Sequence, residues 1–332
     1  MARDGDVAVG LTAPVVEFSL RLSQRHEENL QSLKVTNSLS GRLLMRGAVS
    51  SMRLLVAVLS AASSFASISS SRAQPSVEHG RYLVDAILGC ADCHSPKGPD
   101  KKPIPGREFS GGNKTYNTEA YSVTASNLTP DKETGLGDWT ANDLKLLFRE
   151  GVRPDGVPVA AIMPVNFYKA ITDEDIESIA SYLKTLSAIK NSVPTPSYLK
   201  ETKFDVVPDA ALVYSAKQMA KDPVSRGRYL ATLGHCLLCH TPSVDGVTDY
   251  ERNAGRGGKR MGGILVPNIT SSKTAGIGDW SDDDIRRALT KGIGRDGHEL
   301  QDPPMPWAIF ANLTSSDVSS LVAWLRTLPP NE

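Results

Sequence analysis

A chain of 332 residues has the length of about two domains, and 37 Lys+Arg against 37 Asp+Glu leave no net charge and no basic footprint of the kind that marks a nucleic-acid binder. With 22% charged, 40% hydrophobic and 6% aromatic residues the composition is that of a globular protein, which excludes a wholly disordered chain. The four cysteines fall in two identical frames, Cys90-Ala-Asp-Cys93-His94 and Cys236-Leu-Leu-Cys239-His240, and no thiol is left over.

In chain order, the amino terminus comes first. Arg42, Arg46 and Arg53 precede an apolar run from Leu54 to Ala66, and Ser71-Arg72-Ala73 then offers small residues at the positions a signal peptidase reads. The run falls short of the roughly 20 residues of a membrane span, and no cysteine stands near the cleavage point to take a lipid. Residues 45–73 are therefore expected to be a secretion signal, and the protein periplasmic. Residues 1–44, mixed in charge and upstream of Met45 and Met52, read as an extension from a start assigned too early. The alternative is a true extension with an uncleaved signal anchor. Membrane association is expected only through a partner or such an anchor. Removing 1–73 takes away 8 basic and 5 acidic side chains and leaves 29 against 32, a mildly acidic chain suited to docking by local patches.

The remainder repeats itself. Gly80-Arg81-Tyr82-Leu83 returns as Gly227-Arg228-Tyr229-Leu230, each ahead of a Cys-x-x-Cys-His frame. Asn127-Leu128-Thr129 with Gly137-Asp138-Trp139 returns as Asn268-Ile269-Thr270 with Gly278-Asp279-Trp280, and Met163-Pro164 returns as Met305-Pro306. Offsets of 146 at the cysteines, 141 at the tryptophans and 142 at the methionines imply two homologous domains rather than many small repeats. They are expected at 75–190 and 223–328, joined by a Pro-rich linker at 191–222.

Each copy reads as helical. A first helix, Val77 to Leu88 or Ser225 to Leu233, runs into the cysteine frame. A second starts after Thr140 or Ser281 and stops at Gly151 or Gly292. A third starts at Thr172 or Thr314, with acidic residues in its first turn, and ends near Leu186 or Leu328. A short helix is possible within Asp209 to Lys221. The long Gly- and Pro-rich stretches 97–112 and 253–263 need something to pack against.

Two thiols three residues apart lie on one side of a helical turn, within reach of the two vinyl groups of one porphyrin, with the adjacent histidine beneath the iron. A thioredoxin-like redox pair or half of a zinc site fits less well, because histidine follows both frames and no further Cys or His pairs are present. Two covalently attached haem c groups are thus expected, on Cys90 and Cys93 and on Cys236 and Cys239, with His94 and His240 as proximal iron ligands. Among the four methionines after residue 73, only Met163 and Met305 occupy equivalent positions, 69 and 65 residues beyond their histidines, and each precedes a proline that favours an extended backbone. They are the expected sixth ligands. Met219 and Met261 read as packing, and His79, His235 and His298 lack a histidine counterpart in the other copy. Trp139 and Trp280 either plug the core or bond a haem propionate, and Arg107 and Arg260 either pair with propionates or are solvated.

The order helix, Cys-x-x-Cys-His, Asn-[Leu/Ile]-Thr with Gly-Asp-Trp, Met-Pro, helix resembles the small cytochrome c domain in tandem. It is similar to the dihaem and trihaem cytochrome subunits that serve dehydrogenases of alcohols, aldehydes, sugar acids and N-heterocycles. The resemblance implies an all-α fold of two tandem cytochrome c domains whose long irregular loops wrap covalent haem, His/Met iron, and one-electron transfer. The implied partners are redox proteins, a dehydrogenase large subunit as donor and a respiratory acceptor. Many members carry three haem domains and a C-terminal membrane helix, and neither is expected here after Leu328-Pro329-Pro330. A six-coordinate iron has no open site, so no catalytic residue is expected. The alternative, a dihaem cytochrome c peroxidase-like enzyme, needs one accessible iron with an acid/base group nearby and is disfavoured by the symmetric methionines.

Overall fold

The computed structural model describes residues 75–112 and 114–332, so the expected extension and secretion signal lie outside the described residues. The hydroxyl of Ser76 accepts from the His79 amide and starts α1, Val77–Leu83. The expected helix to Leu88 does not continue as α: Val84–Leu88 is a π-helical turn closed by Gly89 at φ 60°. The turn leads into α2, Cys90–His94. After two short strands, β1 (Thr115–Asn117) and β2 (Tyr121–Thr124), comes α3, Ala141–Glu150. The one-turn α4, Val165–Tyr168, and α5, Asp173–Leu183, complete the set.

The same order recurs. After β3 (Ser197–Tyr198), the segment expected to hold a short helix resolves into a 3₁₀ turn, Pro208–Ala211, and α6, Ala216–Met219. Next come α7 (Pro223–Leu233) and α8 (Cys236–His240). The hairpins β4–β5 (Ser243–Val244, Val247–Thr248) and β6–β7 (Arg260–Met261, Ile264–Leu265) follow. Then come α9 (Asp282–Lys291), α10 (Trp307–Phe310) and α11 (Ser315–Leu325).

The described residues are mostly helical, with three small antiparallel sheets among them that the all-α expectation omitted. β2 pairs with β1 through Tyr116 and Val123 and with β3 through Tyr121 and Tyr198, so part of the expected linker belongs to a sheet. These strands satisfy backbone groups in the long loops that helices leave unpaired. Capping chemistry explains the helix starts. Thr140 with Asp143, and Ser281 with Asp284, form reciprocal capping boxes, and Gly151 (φ 69°) and Gly292 (φ 63°) end the same helices in the left-handed region. α5 and α11 stop three residues before the expected ends. Leu186 and Leu328 close instead on the carbonyls of Leu183 and Leu325, the i to i+3 bonding of a tightened last turn.

In each half the first and last helices cross where the first carries glycine. A Cβ at Gly80 would lie 2.0 Å from the Ser178 carbonyl oxygen, and one at Gly227 1.9 Å from that of Ser320. Only glycine permits that approach, and the crossing buries Leu83, Val84, Ile176 and Ile179 in one half and Tyr229, Leu230, Leu321 and Trp324 in the other.

The halves meet across a pseudo-twofold exchange. Tyr82 Oη donates to Asp317 Oδ2 at 2.5 Å, and Tyr229 Oη, its counterpart, donates to Asp175. Each carboxylate also pairs with a nitrogen-bearing side chain of its own half: His79 Nε2 with Asp175 Oδ1 at 2.7 Å, and Arg226 with both oxygens of Asp317 at 2.8 Å. Burial pushes both carboxyls up. Their hydrogen bonds, chiefly from His79 and Tyr229 to Asp175 and from Arg226 to Asp317, more than offset it and leave both below the usual range. None of the described helices is long and apolar enough to cross a membrane.

Two outcomes are expected. Gly80→Ala or Gly227→Ala forces a methyl onto a main-chain carbonyl and should cost about 1–3 kcal/mol in denaturant unfolding, or more if the crossing must open. Because Asp175 and Asp317 have folded-state pKa values below their unfolded ones, their stabilisation is complete above the ordinary carboxylate value near 3.9 and is lost as pH falls through the lowered values. Melting temperature should therefore fall steeply below about pH 4, and Asp175→Asn should carry less of that fall.

Candidate functional site

In the first half, the π turn and left-handed Gly89 bring the chain onto α2, one helical turn that holds Cys90, Cys93 and His94. His94 is buried, and its Nδ1 lies 2.7 Å from the Ser126 carbonyl oxygen. A carbonyl only accepts, so Nδ1 carries the proton and Nε2 keeps its lone pair. Burial pushes the imidazole pKa down against the smaller upward pull of that hydrogen bond, so the ring is neutral and able to ligate a metal. The second half repeats this. His240 Nδ1 donates to the Pro267 carbonyl at 2.8 Å, and burial again lowers the ring. The backbone behind each histidine is also held: Gly111 donates to the His94 carbonyl and Gly257 to that of His240, both at 2.7 Å.

The repeated Asn-x-Thr motif explains how those carbonyls are placed. Each follows immediately on the carbonyl-bearing residue. Asn127 Oδ1 accepts from the Thr129 amide at 2.9 Å and hydroxyl at 2.7 Å, while its Nδ2 donates to the Ile189 carbonyl at 2.7 Å. Asn268 Oδ1 takes the same two groups of Thr270 at 2.8 and 2.6 Å, and its Nδ2 donates to the Asn331 carbonyl at 2.6 Å. The motif is a brace for the histidine's acceptor. Sequence reasoning found the repeat but not Ser126 or Pro267, because a backbone acceptor has no residue signature.

A cavity of about 970 Å³ opens beside α2, with Cys90, Cys93, His94 and Met163 in its walls. Met163 stands before Pro164, which caps α4 at φ −79° and ψ 51°, and Met305 stands before Pro306, which caps α10 at φ −83° and ψ 52°. Both methionines are half-buried against the core. The first cavity thus offers two thiols, a tied imidazole and a thioether within largely apolar walls, a donor set that fits a covalently held iron porphyrin.

The other readings of the cysteine frames find less support. Burial pushes Cys90 and Cys236 up to about 12, whereas redox-active thiols need lowered values. No three His, Cys, Asp or Glu side chains gather as a metal-ion site among the described residues.

The remaining candidates sort themselves. Trp139 lines the cavity and Trp280 packs half-buried against the core. Arg107 donates from Nη2 to Asn191 at 3.0 Å and does not line the cavity, while its buried Nε lacks a partner. Arg260 is exposed on β6. Met219 is core, as expected of packing, but Met261 reaches into the wall of the other half's cavity. His79 pairs with Asp175, and His298 with Asp296. His235 takes the left-handed position (φ 42°) that Gly89 occupies in the first half, lines the same cavity, and is pushed down to about 4 by burial. Arg153, paired with Asp155 at 3.1 Å in the cavity wall, was not singled out from sequence because a lone Arg in a polar loop carries no signal.

A helical shell around such a donor set defines the haem-protein class, and known proteins make it specific. Residues 224–329 match the cytochrome c family model. Over 270 residues the chain is 31% identical to the fructose dehydrogenase cytochrome subunit of Gluconobacter japonicus, covering 77% of this chain and 53% of that one. It is 30% identical over 303 residues to the gluconate 2-dehydrogenase cytochrome c subunit of Pantoea cypripedii, covering 83% and 65%. A diheme cytochrome c-type protein of Cereibacter sphaeroides is 28% identical over 264 residues, covering 74% of this chain and 83% of that one. The chain thus spans between half and two thirds of the length of the two dehydrogenase subunits. Residues 224–329 belong to the cytochrome c family, whose domain implies covalently bound haem c, and the relatives similar to the chain as a whole are cytochrome subunits.

Asn127→Ala strips the brace behind Ser126, leaves the Thr129 amide without its partner and leaves the Ile189 carbonyl only the longer 3.3 Å bond from the Thr129 hydroxyl. A loss of about 1–3 kcal/mol in denaturant unfolding is expected, against under about 0.5 kcal/mol for a surface substitution.

Proposed function

We propose that this chain is an exported dihaem cytochrome c that carries single electrons between a dehydrogenase and a downstream respiratory acceptor. The observation that carries the reading is the repetition, in both halves, of one arrangement: paired thiols, an imidazole whose Nδ1–H is fixed on a main-chain carbonyl, and a Met-Pro step of matching backbone geometry. In this reading Cys90 and Cys93, and Cys236 and Cys239, are the thioether anchors of two haems. His94 and His240 would hold the iron through Nε2, and Met163 and Met305 would supply its thioether ligands.

Each bound haem c supplies a one-electron ferric/ferrous couple. The chain's own part is to position and tune it. The Ser126 and Pro267 carbonyls fix ring orientation and raise imidazole basicity, the methionine thioethers favour the ferrous state, and the buried apolar wall excludes water. A Met-Pro step in each half, able to supply a thioether to its iron, supports electron transfer over peroxidase chemistry. The relatives named as cytochrome subunits of fructose and gluconate dehydrogenases support a dehydrogenase large subunit as electron donor. The apolar run and Ala73 cleavage site support a periplasmic location.

Mass spectrometry of purified protein should find two covalent haem additions, one on each cysteine-pair peptide. Met163→Ala and Met305→Ala should each remove one haem's methionine–iron band at the far-red end of the oxidised spectrum and lower that haem's midpoint potential. An unchanged spectrum and midpoint in both variants would overturn the axial assignment.

A further inference from the structure

The segment that carries Met305 has two sides, and they face different halves. Toward its own half, Trp307 Nε1 donates to the Leu300 carbonyl at 3.2 Å. The same ring lies so close to Gly292, where α9 ends, that a Cβ there would fall 2.5 Å from it. Toward the other half, Pro304, Pro306, Ala308, Ile309 and Phe310 stand in the wall of the cavity beside His94. Met305 does not line that cavity, although it sits between two residues that do.

The link from one side to the other is short and stiff. The Met305 amide donates to the Gln301 carbonyl at 3.1 Å, and the Met305 carbonyl accepts from the amide of Trp307, the first residue of α10, at 2.9 Å. Pro306 between them has its φ fixed by its ring, at −83°. Ile309, on the same helical turn, packs against the cysteine frame of the first half, where a Cβ at Gly89 would lie 2.5 Å from its Cδ1. The first half mirrors this through Phe167 on α4, which meets His235 and Tyr250 of the second half edge-on, at 6.1 and 6.2 Å between ring centroids. Both Met-Pro steps thus lead into a helix seated on the opposite half, and α10 takes its seat in the wall of the first cavity.

We propose that Ile309 is a positioning residue for the second haem's methionine: with the first haem seated against Ile309, the turn back to Met305 is held and the thioether stays on the second iron. The inference rests on the haem-bearing reading of both cysteine frames given above. An apolar wall loses its dispersion contacts when the body packed against it is removed, and it relaxes toward the gap. Here the wall is the helix that begins two residues after Met305. Methionine sulfur is a neutral group on a flexible side chain, so its hold on iron depends on the backbone that presents it. The second haem's ligation is therefore coupled to the filling of the first cavity, through one helical turn.

The test reads the methionine–iron band of the second haem alone. Met163→Ala keeps both haems and removes the first haem's band, so the band it retains is the reference. In Cys90→Ala/Cys93→Ala, which has no thiol to anchor the first haem, the band per second haem should be weaker than that reference, and added imidazole should displace the methionine at a several-fold lower concentration. The band is the readout because loss of the first haem's charge shifts a midpoint without breaking an iron–sulfur bond. An equal band and an equal imidazole concentration would overturn the proposal. Where that variant fails to fold or keeps two haems, Met163→Ala/Ile309→Ala decides: its band should fall below the reference, and the volume-conserving Ile309→Leu in the same background should restore it. A band unchanged by Ile309→Ala would overturn the proposal by confining Ile309 to the wall of the first cavity. A cysteine-pair peptide without haem in mass spectrometry, or a Met305→Ala spectrum like that of the wild type, would instead defeat the reading on which the inference rests, and the inference with it.

Discussion

The contact between a glycine and a main-chain carbonyl, made once in each half, is the constraint on which the rest depends. With Gly80 against Ser178 and Gly227 against Ser320, the first and last helices approach until backbone touches backbone. The side chains on either side then interlock, which is why Trp324, Tyr229, Ile176 and Ile179 are almost fully buried. A helix pair so fixed delivers its exit at a defined point, and the exit is the cysteine frame. Local geometry at the frame differs between halves, with a π turn and glycine in one and an α-helix and left-handed histidine in the other. Both routes nevertheless bring an imidazole onto a waiting carbonyl.

That second contact shows how a structural motif and a functional one share residues. The ring's orientation is set by Ser126 or Pro267, and these are set by the Asn-x-Thr brace beside them. The brace is anchored in turn by main-chain carbonyls about 60 residues further along, at Ile189 and Asn331. The orientation of each imidazole comes from a chain of ordinary hydrogen bonds, each worth about 1 kcal/mol net. Their value lies in the direction they impose.

Much of this was legible in the amino-acid order. The caps at Thr140, Ser281, Thr172 and Thr314 mark helix starts because a hydroxyl there satisfies an otherwise unpaired amide, and the structure places helices directly after all four. The cysteine frames and the matching Met-Pro steps carried the haem expectation, since few other uses require thiols, imidazole and thioether in that order twice. Three features stayed hidden. The π turn at Val84–Leu88, closed by the left-handed Gly89, leaves no trace in propensity. The one-turn helices after Pro164 and Pro306 are too short for periodicity to register. The exchange of Tyr82 and Tyr229 joins residues 235 and 54 positions apart, which a single sequence cannot connect.

The anchoring of Asn127 on Ile189 has a consequence for how such a protein can diversify. The strip of chain that leaves the first half is also a wall tie of that half: Ile189 and Asn191 secure the loop behind His94, and Ser197 and Tyr198 then extend its sheet. A connector with those duties is no free tether. The two halves repeat one arrangement but are not interchangeable cassettes, and a shuffled copy would have to bring its own tail along.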